Sequence, residues 1–202
     1  MLNKQKPLNL NMGCGANKIE GYINIDTEAS VKPDLVCNFV TETLPFKPNS
    51  VDQILLFHTI EHIPRRARRE FLTKLYKLLK PKTGNIIISY PEFLKCVECW
   101  KTNFRGKKEF WEATLYGRQL YPSDYHVTIM HTPDFKRQLV ECGFTDMVIK
   151  PEPGESHNTV ISARKGTAFV EYEELIRKDM SSYRITKRDT SINKRQNKSK
   201  SR

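Results

Sequence analysis

The chain has 202 residues, 38% of them hydrophobic, with ten Phe, eight Tyr and two Trp. That is enough for one buried core and too much for a chain disordered throughout. No stretch approaches the roughly 20 apolar residues that span a bilayer, and the start MLNKQKPLNLN lacks the apolar block of a signal peptide, so no membrane role is expected. Five cysteines without regular spacing agree with a reducing compartment, and a cytoplasmic location is expected. The net charge of +11 is uneven: 184–202 holds eight Lys/Arg and one acid, or +7, which leaves +4 for the remaining 183 residues.

Taken in order, the elements alternate between strand and helix signals. LNLNM (Leu8 to Met12) and YINID (Tyr22 to Asp26) alternate large apolar and polar residues and end at turns. DLVCNF is a third short run, entered through Pro33. SVDQILLFH is longer and more continuous, as expected of a strand covered on both faces. IPRRARREFLTKLYKLLKP follows, with Pro64 at a first-turn position, Phe71, Leu72, Leu75, Leu78 and Leu79 at helical spacing, and Pro81 as its stop. GNIIISYP (Gly84 to Pro91) is a fifth strand. Residues 92–131 are long for a connection and rich in aromatics and charge, which marks an insertion. TPDFKRQLVECGF then predicts a helix capped by Thr132 and ended by Gly143. TDMVIKPEP and NTVISARK predict a final antiparallel pair at one edge. The fold class expected is α/β: a Rossmann-like seven-stranded sheet flanked by helices, mostly parallel with an antiparallel C-terminal edge. The domain is expected to span 1–165 with 92–131 as an insertion, followed by a helical extension over 166–183 and a basic disordered tail over 184–202.

In such a sheet ligands lie beyond the carboxyl ends of the strands, near the point where the strand order reverses. Gly13 and Gly15 fall at the end of the first strand, where missing side chains let a ligand approach the backbone. Asp26 ends the second strand, where one carboxylate can accept from both hydroxyls of a ribose. A lone Gly-x-Gly is also an ordinary turn, and the gap from it to Asp26 is shorter than the about 20 residues usual in dinucleotide folds.

LNMGCG, GYINID, DLVCNF, LPFKPNSVDQILLFHTIEHI and LYKLLKPKTGNIIISYP, in that order, resemble the successive motifs of class I S-adenosylmethionine-dependent methyltransferases. The likeness is to a branch with a shortened first crossover and unassigned substrate. It covers about Leu8 to Pro91, and the later YGRQLYPSDYHVTIMHTPDFKRQLVECGF is similar to that branch's substrate-side segment, so coverage reaches roughly Lys165. The resemblance implies S-adenosyl-L-methionine as cofactor, with Gly13, Cys14 and Gly15 along its methionine end and Asp26 on the ribose. Asn38 stands where the family usually has an Asp for the adenine amino group; its amide oxygen accepts without charge assistance. Phe39 would pack near the adenine. Asn17 replaces a third glycine found in many class I enzymes, and 16–21 has no room for a full first helix.

Methyl transfer from a sulfonium is an in-line displacement, so the protein must align the nucleophile and exclude water. His58 and the pair Glu61–His62 close the fourth strand; His58 reads as a wall of the cofactor pocket, and His62 as a base for an acceptor that holds a proton, or as a structural group beside Glu61. Asp124 and His126, in SDYH, offer an acid and an imidazole in a segment expected to lie over the pocket, as an acceptor lid or as an ordinary polar loop. Trp100, Phe104, Trp111, Tyr116 and Tyr121 either stack on an acceptor or form the small core of the insertion. No Asn/Asp-Pro-Pro-aromatic tetrad follows the fourth strand. CVEC (Cys96 to Cys99) is one isolated C-x-x-C, so no metal site is expected.

RRARR (Arg65 to Arg69) puts four arginines where the helix dipole prefers acids. It is either a solvated face or a phosphate-binding patch. With the tail it supports an alternative function: a catalytically inactive protein of the same fold that binds nucleic acid or another polyanion. The main reading is transfer of a methyl group to an oxygen or nitrogen of an unidentified acceptor.

Overall fold

The structure is a computed structural model and describes residues 6–120 and 122–166; the C-terminal extension and the basic tail, from 167 onward, and Tyr121 lie outside the described residues. The sheet has seven strands: β1 (Asn9–Met12), β2 (Ile23–Asp26), β3 (Leu35–Val36), β4 (Gln53–Phe57), β5 (Asn85–Pro91), β6 (Phe144–Glu152) and β7 (Glu155–Lys165). Their order is β3-β2-β1-β4-β5-β7-β6. The first five run parallel, and β7 pairs antiparallel with both β5 and β6. The expected architecture is present. From β1 the order moves one way to β2 and β3 and the other way to β4 and β5, so the reversal lies between β1 and β4.

Among the described residues four α-helices accompany the sheet: α1 (Arg65–Leu78), α2 (Phe93–Lys101), α3 (Lys108–Tyr116) and α4 (Thr132–Glu141). α1 buries Phe71, Leu72, Leu75 and Leu78 against the sheet, as its spacing demands. Pro64 precedes it as the capping residue, in extended conformation at ψ 136°, rather than occupying the first turn. α4 likewise begins at Thr132, with His131 at the cap and Pro133 in the first turn. The core joins Leu10, Met12, Ile25, Ile54, Leu56, Ile86 and Ile88 of the strands to these helix faces.

β3 contracts to two residues because the chain turns at once after Val36: the Asn38 side-chain oxygen accepts from Val40 N and Thr41 N at 3.2 and 3.3 Å. The insertion becomes two helices around Trp111, which is 3% exposed and donates from Nε1 to the Phe104 carbonyl at 3.0 Å. For Trp111 the small-core reading therefore holds.

The connection 13–22 carries no helix. Asn11 and Asn24, opposite each other in the parallel register, are both buried and form its support. Asn11 Nδ2 donates to Asn24 Oδ1 and to the Asn17 carbonyl, each at 3.0 Å. Asn24 Oδ1 also accepts from Ile19 N at 2.8 Å, and its Nδ2 donates to Asp34 Oδ2 at 2.9 Å. A polar pair thus anchors a short loop where a helix would otherwise cover apolar side chains, which explains the alternation of β1 and β2.

Candidate functional site

The turn after β1 is built around the end of β2. Gly13 N and Cys14 N donate to the Ile25 carbonyl at 2.8 and 3.2 Å, and Gly15 N donates to Asp26 Oδ2 at 2.7 Å. Asp26 Oδ1 accepts from Glu28 N at 2.9 Å. Both carboxylate oxygens therefore steady backbone, and each keeps a further lone pair. Gly13 has φ +69°, and a Cβ there would stand 2.4 Å from Thr59 Oγ1. Gly15, at φ +49°, has no atom within 4 Å of its missing Cβ. One glycine is needed for close packing against the turn after β4; the other leaves an open flank beside Asp26.

Cys14 is buried in this turn. Asn38 is exposed and its amide oxygen serves its own turn, as described above. Phe39 is buried in the core, its ring 5.8 Å from that of Phe71.

The second half of the site follows β4. His58 has φ +50°, and its N donates to the Ser89 carbonyl at 2.9 Å. Its ring is about half exposed: Nδ1 is 3.5 Å from Glu61 Oε1, and Nε2 is 3.5 Å from Glu152 Oε2. These two carboxylates, Glu61 first, hold its pKa above the ordinary imidazole value against the opposing effect of burial. A single 3₁₀ turn, Ile60–His62, then places Glu61 inside, 1% exposed, and His62 at the rim.

The segment 122–131 lies over this edge. Val127 N and Thr128 N donate to the Glu61 carbonyl at 3.1 and 3.2 Å, and Ser123 Oγ to Glu28 Oε1 at 3.0 Å. His126 thereby comes to Glu61, with Nε2 3.9 Å from Oε1, and its ring meets that of His62 edge-on at 4.9 Å. Burial pushes the His126 pKa down, so the imidazole is neutral near pH 7.

Asp124 is not part of this group. It is buried, its Oδ2 accepts from Leu120 N at 3.2 Å, and Oδ1 is 3.6 Å from Arg118. It shapes the turn Pro122–Asp124, against which Gly117 packs so tightly that a Cβ would come 1.9 Å from the Asp124 carbonyl oxygen.

Beside His126 opens a cavity of about 590 Å³ lined mainly by Phe93, Val97, Trp100, Leu115, Tyr116 and Val127. Sequence reasoning assigned no role to Glu28, Glu152 or Asn158; Ser123, which bonds Glu28, and His58, which stands beside both Glu152 and Asn158, lie far from them along the chain. Arg68, counted in the basic run, is 4% exposed; it hydrogen-bonds Thr128 and lies 5.9 Å from the Phe135 ring centre. Arg65, Arg66 and Arg69 are exposed. Among the described residues no helix is long and apolar enough to cross a membrane.

Comparison with known proteins bears on residues 10–88 and on the fold. Residues 10–88 match the family described as methyltransferase domain. Among solved structures, a SAM-dependent methyltransferase from Methanosarcina mazei is 15% identical, with 81% of this chain and 95% of that one covered at a TM-score of 0.58. A SAM-dependent methyltransferase from Archaeoglobus fulgidus is 16% identical, with 80% and 87% covered and a TM-score of 0.56. The Burkholderia thailandensis 1,6-didemethyltoxoflavin-N1-methyltransferase, bound to 1,6-didemethyltoxoflavin and S-adenosylhomocysteine, is 19% identical, with 80% and 72% covered and a TM-score of 0.50. No curated protein matches the sequence. Residues 10–88 therefore match the methyltransferase-domain family, and the chain has the fold of solved SAM-dependent methyltransferases.

Proposed function

We propose that the protein transfers a methyl group from S-adenosylmethionine to an oxygen or nitrogen of an acceptor held between α2, α3 and residues 126–129. The observation that carries this reading is the joint between Gly15 and Asp26: a carboxylate with a free lone pair on each oxygen, pinned at 2.7 Å to a glycine whose flank is open. These are the features a ribose and the methionine end of the cofactor require. When bound, the cofactor supplies an electrophilic sulfonium methyl group.

The chain's own residues do the rest. Asp26 accepts from the ribose hydroxyls, and the backbone of Gly13, Cys14 and Gly15 follows the methionine end. His58 walls the pocket. With the Asn38 amide engaged in its turn, recognition of the adenine amino group rests less on that side chain than the motif suggests. His126, neutral at pH 7, or His62 beside it takes a proton from an acceptor that carries one. Asp124 holds the lid that excludes water. The apolar and aromatic cavity lining favours an acceptor with a flat, largely apolar body. The polyanion alternative keeps only Arg65, Arg66 and Arg69 of its helical patch, since Arg68 is turned inward.

Calorimetric titration with S-adenosylmethionine and S-adenosylhomocysteine tests the reading. Wild type is expected to bind both, and Asp26→Ala to lose about 1–3 kcal/mol as a hydrogen-bonding carboxylate is removed. Absence of binding by wild type at millimolar ligand would sink the proposal.

A further inference from the structure

Glu61 poses a problem that methyl transfer does not solve. It is 1% exposed, and neither carboxyl oxygen has a hydrogen-bond partner among the described residues. Buried carboxylates are ordinarily paired with donors or seated on a metal ion. Two imidazoles stand within 4 Å of its carboxylate but outside bonding geometry, His58 Nδ1 at 3.5 Å and His126 Nε2 at 3.9 Å from Oε1, and the charge of buried Arg68, whose Nε is likewise unpartnered, acts on it without a hydrogen bond. One ligand atom from each of Glu61, His62 and His126 lies within 4.8 Å of the other two.

The surroundings fit this set to a cation. His62 Nδ1 stands 2.9 Å from the Tyr125 carbonyl oxygen, which only accepts, so Nδ1 carries the proton and Nε2 keeps its lone pair. A backbone carbonyl on the remote nitrogen is how metal-binding imidazoles are held in one tautomer. Beside Glu61 and His126 lies a void of about 10 Å³, close to the smallest that admits a water molecule.

We propose that Glu61, His62 and His126 form a binding site for one divalent transition-metal ion of the zinc type. Two imidazoles and a carboxylate match that class; magnesium and calcium prefer oxygen ligands throughout. Ligand atoms about 2.1 Å from such an ion stand roughly 3.4 Å apart at a tetrahedral angle. The Glu61–His126 gap of 3.9 Å closes to that value by a side-chain adjustment of about half an ångström. Three protein ligands leave a position for water or for an acceptor oxygen. His126 lines both the void and the larger cavity, so that position adjoins the acceptor space. A metal there lowers the pKa of a bound hydroxyl and takes over work otherwise left to a histidine base.

The test uses the full-length chain without a histidine tag, stripped with a chelator and titrated with Co²⁺, whose visible absorption reports nitrogen and oxygen ligation; Zn²⁺ then competes. No methyl donor is present, so the result is independent of the proposed activity. One Co²⁺ per chain, displaced by Zn²⁺, is expected. Glu61→Gln and His126→Ala should each weaken it about tenfold or more. His131→Ala, which removes an imidazole 3.0 Å from Asp134 at the surface, should leave it unchanged. If either substitution disturbs the fold by circular dichroism, the other and His62→Gln decide. Sub-stoichiometric Co²⁺ binding by wild type, or a Glu61→Gln affinity within tenfold of wild type, would overturn the site.

Discussion

Asn11 and Asn24 face each other across β1 and β2, the amide of the first donating to the oxygen of the second at 3.0 Å, and together they hold the loop that stands in for the first helix. Asn24 has the larger share of the bonds, reaching Asn11, Ile19, Tyr22 and Asp34. Asn24→Ala strands several buried partners at once and is expected to cost about 2–4 kcal/mol, more than Asn11→Ala. Urea unfolding of the two variants checks the order; equal costs would mean that the network does not bear the loop.

The alternation of β1 and β2 was legible in the sequence, as were the parallel strands, α1, α4 and the antiparallel edge, because each rests on local periodicity. The pairing of two asparagines was not, because it needs the register of two strands that meet only after folding. The same limit hid the centre of the site. Glu61 and His62 are adjacent, and spacing alone cannot say which faces inward; the 3₁₀ turn Ile60–His62 buries the acid and leaves the imidazole at the rim. Asp124 and His126 sit two apart and were grouped on that ground, yet the backbone of this segment sends one to Leu120 N and Arg118 and the other to Glu61.

The two glycines of the first turn should respond differently to alanine. Gly13→Ala forces a side chain onto Thr59 as well as a left-handed backbone, and is expected to cost about 2–4 kcal/mol. Gly15→Ala meets no atom and bears only the backbone strain, about 1 kcal/mol. Thermal melts separate the two. If Gly15→Ala also abolishes S-adenosylmethionine binding while the fold survives, its open flank is the cofactor's.

Thiol chemistry should single out Cys99. Cys14, Cys37, Cys96 and Cys142 are buried, and burial above all raises each of their pKa values, that of Cys96 to about 12. The thiolate is the reactive form, so these four are protected by access and by protonation together. Cys99 is partly exposed, though burial and Glu98 raise its pKa as well. A disulfide reagent near pH 8 is expected to modify one thiol in the native protein, slowly, and none in Cys99→Ser. Rapid reaction of Cys96 as well, located by peptide mapping, would show that α2 does not stay docked.

His157 gives the insertion a pH dependence of predictable sign. Its ring is buried edge-on against Trp111 with centroids 4.8 Å apart, and 6.1 Å from Phe110. Burial lowers its pKa from the usual 6.5; Glu155, 3.4 Å away, opposes this, and the charge of His58 assists it. The folded state therefore keeps the ring neutral at a pH where the unfolded chain has begun to bind a proton. Between the ordinary value near 6.5 and the lower folded pKa the unfolded state holds more protons, so stability falls as pH drops through that window and is level above it. Urea midpoints read from tryptophan emission, taken at about pH 7.5 and at about pH 5.5, should show this loss in wild type and less of it in His157→Gln. An identical acid loss in both proteins would assign it to other groups. Retention of the His157 step on deletion of 167–202 would place its origin in the α3–β7 contact, where Trp111 and His157 meet.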